Sequence, residues 1–152
     1  MKRHLAALVA LLLAGCGGGG SSPDPPPTTV SPQVAGQYDV TVGLLDNGCS
    51  TTPTVQPQPT SVAQVPGASA FSLSHGGLRV AGSVDRGGSF TTQPVNVQDA
   101  LGPAVLTITG RFTTGGLEAT VTVAVTPAAP GAACQYRVGW TGVKQGAPNV
   151  LG

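Results

Sequence analysis

The chain has 152 residues, of which 9% are charged and 4% are aromatic, and it is rich in glycine (23) and proline (14). Seven basic and six acidic side chains give a formal net charge of +1. They form no basic stripe that could neutralise a phosphate backbone, so nucleic-acid binding is not indicated. Abundant glycine, proline and threonine favour turns and strands over helices.

The N-terminal region is organised as an export signal. Lys2 and Arg3 precede the apolar run 5–13, which ends in small residues. A helix that spans a bilayer needs about 20 apolar residues. This shorter run therefore predicts a secretory signal peptide, not a lasting membrane span.

The stretch LAGC at residues 13–16 has an aliphatic residue and two small ones before a cysteine. It resembles the lipobox of bacterial lipoproteins, and the resemblance covers the first sixteen residues. It implies cleavage after residues 1–15, a diacylglyceryl thioether on Cys16 and acylation of the new amino terminus. Several acyl chains anchor a protein stably, so the membrane is the expected partner. Gly17, in place of the Asp that favours inner-membrane retention, implies the outer membrane of the cell envelope.

The alternative to lipidation is an ordinary secretory signal whose cysteine is incidental or enters a disulfide. If lipidation does occur, residues 16–35 comprise the lipidated cysteine and a tether. The tether, GGGGSSPDPPPTTVSPQVA, has no apolar periodicity, and its composition predicts a flexible segment. Recognition of its prolines by an aromatic groove is a second interpretation. The folded domain is predicted at 36–146 and a flexible C-terminal tail at 147–152. An envelope protein, which no motif identifies, is a second candidate partner beside the membrane.

An alternation of apolar and polar residues begins near residue 37 and predicts β-strands. The predicted strands are 38–44, 70–74, 78–84, 89–97, 104–113, 117–126 and 134–144, with 61–65 as a further candidate. Glycines in SHGG and DRGG supply the positive φ that short hairpin turns require. No helical periodicity of useful length follows the signal. The fold class is therefore all-β, a small antiparallel meander that forms a barrel or a two-sheet sandwich.

Two cysteines, Cys49 and Cys134, remain if Cys16 is lipidated, and in an exported protein such a pair is expected to form a disulfide. The bridge would close a long loop and stabilise the domain by about 4.5 kcal/mol. It would also make the first and last strands neighbours, since bridged Cα atoms lie within about 7 Å. Metal ligation or a catalytic thiol would need partners that the mature chain, with His75 as its only histidine, scarcely has.

No residue is predicted to be catalytic or to bind a metal or cofactor. His75, in SHGG, is interpreted as a solvated turn residue, because no nucleophile elbow accompanies it and Ser72 or Ser74 would not meet it in triad geometry. The stretch 46–48, DNG, begins like a calcium loop but lacks the later ligands, so an Asx turn is expected. Asp85 is interpreted as a turn former.

Trp140 and Tyr136 lie on the apolar face of the last predicted strand. We expect them in the core beside the disulfide, with a ligand-facing role as the alternative. The predicted function is a lipid-anchored, non-catalytic binding or structural module. One rival is a small-molecule-binding barrel, which requires an apolar cavity on the order of several hundred Å³. The other is an envelope hydrolase, which requires convergent titratable groups in a cleft.

Overall fold

The computed structural model describes residues 31–126 and 132–152. The predicted signal peptide, Cys16, residues 17–30 of the tether and residues 127–131 lie outside these ranges. In the described ranges, no helix has the length and hydropathy needed to cross a membrane. The strands are β1 (Gly36–Asn47), β2 (Thr60–Gln64), β3 (Ala70–His75), β4 (Leu78–Val84), β5 (Ser89–Thr92), β6 (Val95–Asp99), β7 (Gly102–Thr113), β8 (Gly116–Val125) and β9 (Cys134–Lys144).

The strands form a single antiparallel sheet that closes on itself. Strands β1 to β5 pair in sequence, β5 pairs with β7, and β7, β8, β9 and β1 complete the circle. The result is an eight-stranded barrel with β6 as an additional strand. The all-β prediction is confirmed, and of the two architectures expected the barrel is the one that forms. Closure pairs strand edges that would otherwise invite aggregation.

The strand predicted at 89–97 is divided into β5 and β6 at Gln93 and Pro94. Thr91 pairs with Thr109 but Val95 pairs with Leu106, so one extra residue separates the two registers. A bulge suits proline, which cannot donate a ladder hydrogen bond. The sheet compensates with the buried Thr92 hydroxyl, which accepts a 2.9 Å hydrogen bond from the Ile108 amide. Strand β6 therefore continues β5 along β7.

A disulfide joins Cys49 to Cys134, with their Cα atoms 5.0 Å apart. This confirms the predicted bridge. Strands β1 and β9 are paired from Tyr38 and Lys144 to Asn47 and Tyr136, so the first and last strands are neighbours, as expected. The bridge lies at the end of the barrel where β1 stops and β9 starts.

The inward faces of the long strands follow the predicted alternation. In β8 every second residue from Leu117 to Val125 is buried, and in β9 Tyr136, Val138 and Trp140 are buried. Predicted turns also form as expected, since Gly76 and Gly88 have φ of 58° and 87°. Glycine populates these angles without the steric cost that a Cβ would add.

The end of the barrel where β1 begins, called here the closed end, is filled by an aromatic cluster. The rings of Tyr38, Phe71, Phe90 and Phe112 pack with centroids 4.6–5.9 Å apart. Phe112 is fully buried and contacts the other three rings. Tilted and edge-on aromatic pairs of this kind add to the free energy of burial.

Residues 31–35 and 145–152 cover the closed end. Gln33 pairs with Val150 through two backbone hydrogen bonds. Asn149 is 4% exposed, and its amide donates to the carbonyls of Thr113 and Gly116. Residues 147–152, expected as a flexible tail, thus include a buried side chain that is bonded to the barrel.

Candidate binding site at the mouth of the barrel

The opposite end, called here the mouth, is open because the strands differ in length. Strand β1 has 12 residues and β2 has 5, and β2 pairs with β1 only along Gly36–Tyr38. Beyond that point the segment 55–59 lies beside β1. Val55 packs against the core, and Pro57–Pro59 line a groove together with β1. A proline-rich segment therefore lines one side of the mouth in place of a paired strand.

A cavity of about 140 Å³ lies inside the mouth. Its walls are mainly aliphatic, with Val42, Leu106 and Val121 among them. The rings of His75, Tyr136 and Trp140 and the side chain of the exposed Gln56 also line it. The cavity is smaller than the several hundred Å³ expected of a small-molecule-binding barrel, whose pockets typically measure about 300–1,000 Å³, so a ligand held in it must be smaller than those that such pockets hold. The aromatic cluster fills the interior at the closed end.

His75 is the last residue of β3, and its side chain is half-buried at the mouth. Its ring lies 4.1 Å from the Trp140 ring, centroid to centroid, at 30°. The interpretation of His75 as a solvated turn residue is therefore wrong. The residues Phe71, Leu73 and His75 alternate along β3 with inward-facing side chains, and this period of two in the sequence could have placed the ring inside the barrel.

The hydrogen bonds of Thr60 determine the tautomer that we assign to His75. The Thr60 hydroxyl lies 3.0 Å from the Gln58 carbonyl oxygen, which can only accept, so its single proton is donated there. His75 Nδ1, 2.7 Å from the same hydroxyl oxygen, must then carry a proton and donate it. This leaves Nε2 as an acceptor. Burial lowers the pKa of His75 and so favours this neutral form.

His75 Nε2 has no hydrogen-bond partner among the described residues, where every buried side-chain nitrogen and oxygen atom has one. The atom must therefore reach accessible space. The same reasoning applies to the Trp140 indole N–H, which also makes no hydrogen bond within the described ranges. The residues that line the cavity thus include an acceptor on His75, a donor on Trp140 and the side-chain amide of Gln56, which can do both, and none of these groups is hydrogen-bonded within the described residues.

Tyr136 has no spare proton to offer. Its hydroxyl donates a 2.6 Å hydrogen bond to Asp99 Oδ2, and Asp99 Oδ1 accepts from the Leu101 amide at 2.9 Å. Burial first, and then the bond and charge of Asp99, raise the pKa of Tyr136 above its usual value. The Tyr136 hydroxyl therefore stays neutral and oriented toward Asp99.

The structure brings Trp140 and Tyr136 together with His75 in one cavity. Trp140 and Tyr136 are 5% and 6% exposed, so they are core residues that also line the cavity. A ligand-facing role for them stays a prediction. His75 is bonded to Thr60 and not to Ser72, Ser74 or a carboxylate within the described residues.

The remaining sequence candidates make turns. Asn47 Oδ1 accepts a 3.0 Å hydrogen bond from the Cys49 amide, which is the expected Asx turn, and Asp46 forms an ion pair with Arg137. Asp85 Oδ1 accepts from the Ser89 amide at 2.8 Å, as a turn former does. Across the part of the chain that the structure describes, no three His, Cys, Asp or Glu residues are grouped to hold a metal ion.

Comparison of the chain with protein-family models, with curated proteins and with solved structures gives no significant match.

Proposed function

We propose that the protein is a lipid-anchored lipoprotein of the bacterial envelope and that its barrel is a non-catalytic binding module. The binding site is the cavity at the mouth. The observation that supports this proposal is the placement of His75, Tyr136 and Trp140 around one small, mainly apolar cavity, with a few polar groups whose hydrogen-bonding capacity is unused. Sites of this composition, apolar with a few polar groups, are typical of small-molecule recognition.

The position of the chain entry supports the use of the mouth for binding. The described chain begins at Ser31, beside the closed end, where Gln33 pairs with Val150. Strand β1 spans 12 residues from this end toward the mouth. With a rise of about 3.3 Å per residue and a strand tilt of about 40° from the barrel axis, the mouth lies roughly 30 Å farther than the closed end from the point where the tether attaches. A tether attached at the closed end leaves the mouth unobstructed.

The size of the cavity restricts the ligand. A volume of about 140 Å³ is close to that of a cavity that accepts one benzene-sized molecule. A fatty acid or a sugar chain would not fit within it. The proposed ligand is therefore a single ring with few substituents.

Trp140 is the only tryptophan in the chain, so its fluorescence reports directly on the mouth. We expect the emission of the mature lipoprotein in detergent micelles to change saturably when a ring-sized compound such as phenol or toluene is added. Val42→Phe, which fills the cavity, should abolish the change. Val143→Phe is the matched control, because Val143 is 63% exposed on β9. An unchanged emission across a series of ring-sized compounds would contradict the proposed binding function.

The anchor is tested separately. A Cys16→Ser precursor should fail to incorporate fatty acid and should leave the membrane fraction. The control is a Cys49→Ser, Cys134→Ser protein, which loses the disulfide but keeps the lipidated cysteine and should stay in the membrane. Retention of Cys16→Ser in the membrane with its acyl groups would refute the anchor.

A further inference from the structure

The lining of the cavity is uncharged. No Lys, Arg, Asp or Glu side chain lines it within the described part of the chain. A charged ligand would lose its hydration on entering this cavity without gaining a charged partner, which is costly. The ligand that fits is therefore neutral.

The rings in the cavity favour a planar ligand. Trp140 and His75 present aromatic surfaces, and Val42, Leu106 and Val121 present branched aliphatic ones. An aromatic ligand in such a cavity gains both apolar burial and ring-to-ring packing. A saturated chain of similar volume gains only the free energy of apolar burial.

The polar groups determine which substituent the ring should carry. His75 Nε2 is an acceptor, because Thr60 fixes the proton on Nδ1. The Tyr136 proton is already donated to Asp99, the Trp140 indole N–H can only donate, and the amide of Gln56 can donate or accept. A hydroxyl group satisfies both kinds of unused group, since it donates one hydrogen bond and accepts others.

We propose that the mouth binds small neutral phenols, with the phenolic hydroxyl donating a hydrogen bond to His75 Nε2. This inference rests on the proposed binding function and adds the chemical class of the ligand. It assigns His75 a role in selecting the ligand, while Thr60 is a positioning residue that holds the imidazole in the accepting tautomer.

The test compares the binding of three compounds of nearly equal size to the mature lipoprotein. Phenol can donate and accept a hydrogen bond, anisole can only accept one, and toluene can neither donate nor accept one. Free ligand concentrations are fixed by dialysis against the same micelles. His75→Phe keeps a ring against Trp140 but removes the acceptor. We expect it to weaken phenol binding about tenfold, equivalent to about 1.4 kcal/mol, and to change toluene binding less than twofold.

Thr60→Val is the second variant. It removes the hydroxyl that holds the proton on His75 Nδ1 and leaves the imidazole itself unchanged. It should weaken phenol binding by less than His75→Phe does. A direct measurement on the unmutated protein is the ¹⁵N chemical shift of His75 Nε2, which should move on addition of phenol and stay in place with toluene. This measurement keeps the inference falsifiable if either variant fails to fold.

The outcomes separate the two proposals. If phenol and toluene bind with equal affinity, and the His75 Nε2 shift does not respond to phenol, the mouth is a binding site but the inference about phenols is wrong. If none of the three compounds binds, both the inference and the proposed binding function fail.

Discussion

The two ends of the barrel are built differently from the same strands. At the closed end, four aromatic rings fill the interior, and the buried Asn149 bonds to the carbonyls of two other segments. Burial also raises the pKa of the Tyr38 hydroxyl there to about 12, so it is neutral. At the mouth, a cavity remains and His75 Nε2 has no partner among the described residues. The comparison indicates that the closed end is stabilised by ring packing and side-chain hydrogen bonds, whereas the mouth, which keeps unfilled space, is held by the Cys49–Cys134 disulfide.

The largest expected effect on stability is that of the disulfide, which holds the mouth together across a sequence separation of 85 residues. We expect Cys49→Ser with Cys134→Ser to lower the free energy of unfolding by about 4.5 kcal/mol, because a loop of this length restricts the unfolded chain. Urea denaturation of oxidised and doubly substituted proteins measures the difference. A loss below about 1 kcal/mol would show that the mouth does not depend on the bridge.

A slightly smaller loss is expected from the aromatic cluster. Phe112→Ala should cost about 4 kcal/mol, because it removes a fully buried ring and leaves a void among three others. The matched change at the mouth is Leu106→Ala, which affects a partly buried residue beside an existing cavity. It should cost about half as much. Equal urea midpoints for the two variants would contradict the distinction between the ends.

Two asparagines provide a finer comparison. Asn149→Ala at the closed end should cost about 2 kcal/mol, because it leaves the carbonyls of Thr113 and Gly116 without their donor. Asn47→Ala at the mouth removes the acceptor of the Cys49 amide and an exposed 3.3 Å hydrogen bond to the Thr51 carbonyl; because both bonds are local, it should cost about 0.5–1 kcal/mol. Thermal unfolding of both variants tests the order, and a larger effect at Asn47 would reverse our assignment of the stable end.

The smallest expected effect is a pH dependence at the mouth. Burial lowers the pKa of His75 from its usual value of 6.5, so below that pH the unfolded chain binds a proton that the folded chain does not. This contribution to stability should therefore be fully present above about pH 6.5 and fall as the pH is lowered below that value. Urea midpoints measured across this range should fall more for the unmutated protein than for His75→Gln. Parallel slopes would contradict the burial of His75.

The sequence predicted much of this fold from period-two alternation. Strand β4 was predicted with its observed bounds, and the inward residues of β8 were identified because apolar and polar residues alternate there without interruption. Strand β5 was not separated from β6, because a bulge at Gln93 and Pro94 depends on the register of β7, which local patterning does not contain.

The candidate site was harder to predict. The sequence places Trp140 and Tyr136 on the inner face of β9, but the cavity is formed by residues of five strands and of the segment 55–56, and local patterning does not show which of these residues meet. His75 was assigned to its turn because two glycines follow it. Its position in the alternation of β3 was the better guide, and its bond to Thr60 joins neighbouring strands across 15 residues.

The Cys49–Cys134 bond also limits how far the protein can be stretched. Mechanical tension applied between Ser31 and Gly152 would act first on the Gln33–Val150 pair. It would then extend two segments, from Ser31 to Cys49 and from Cys134 to Gly152. The residues between the two cysteines are enclosed in a covalent loop and would not extend. In a single-molecule pulling experiment, the oxidised domain should therefore lengthen by only the two short flanking segments, whereas the reduced domain should unravel over its whole length.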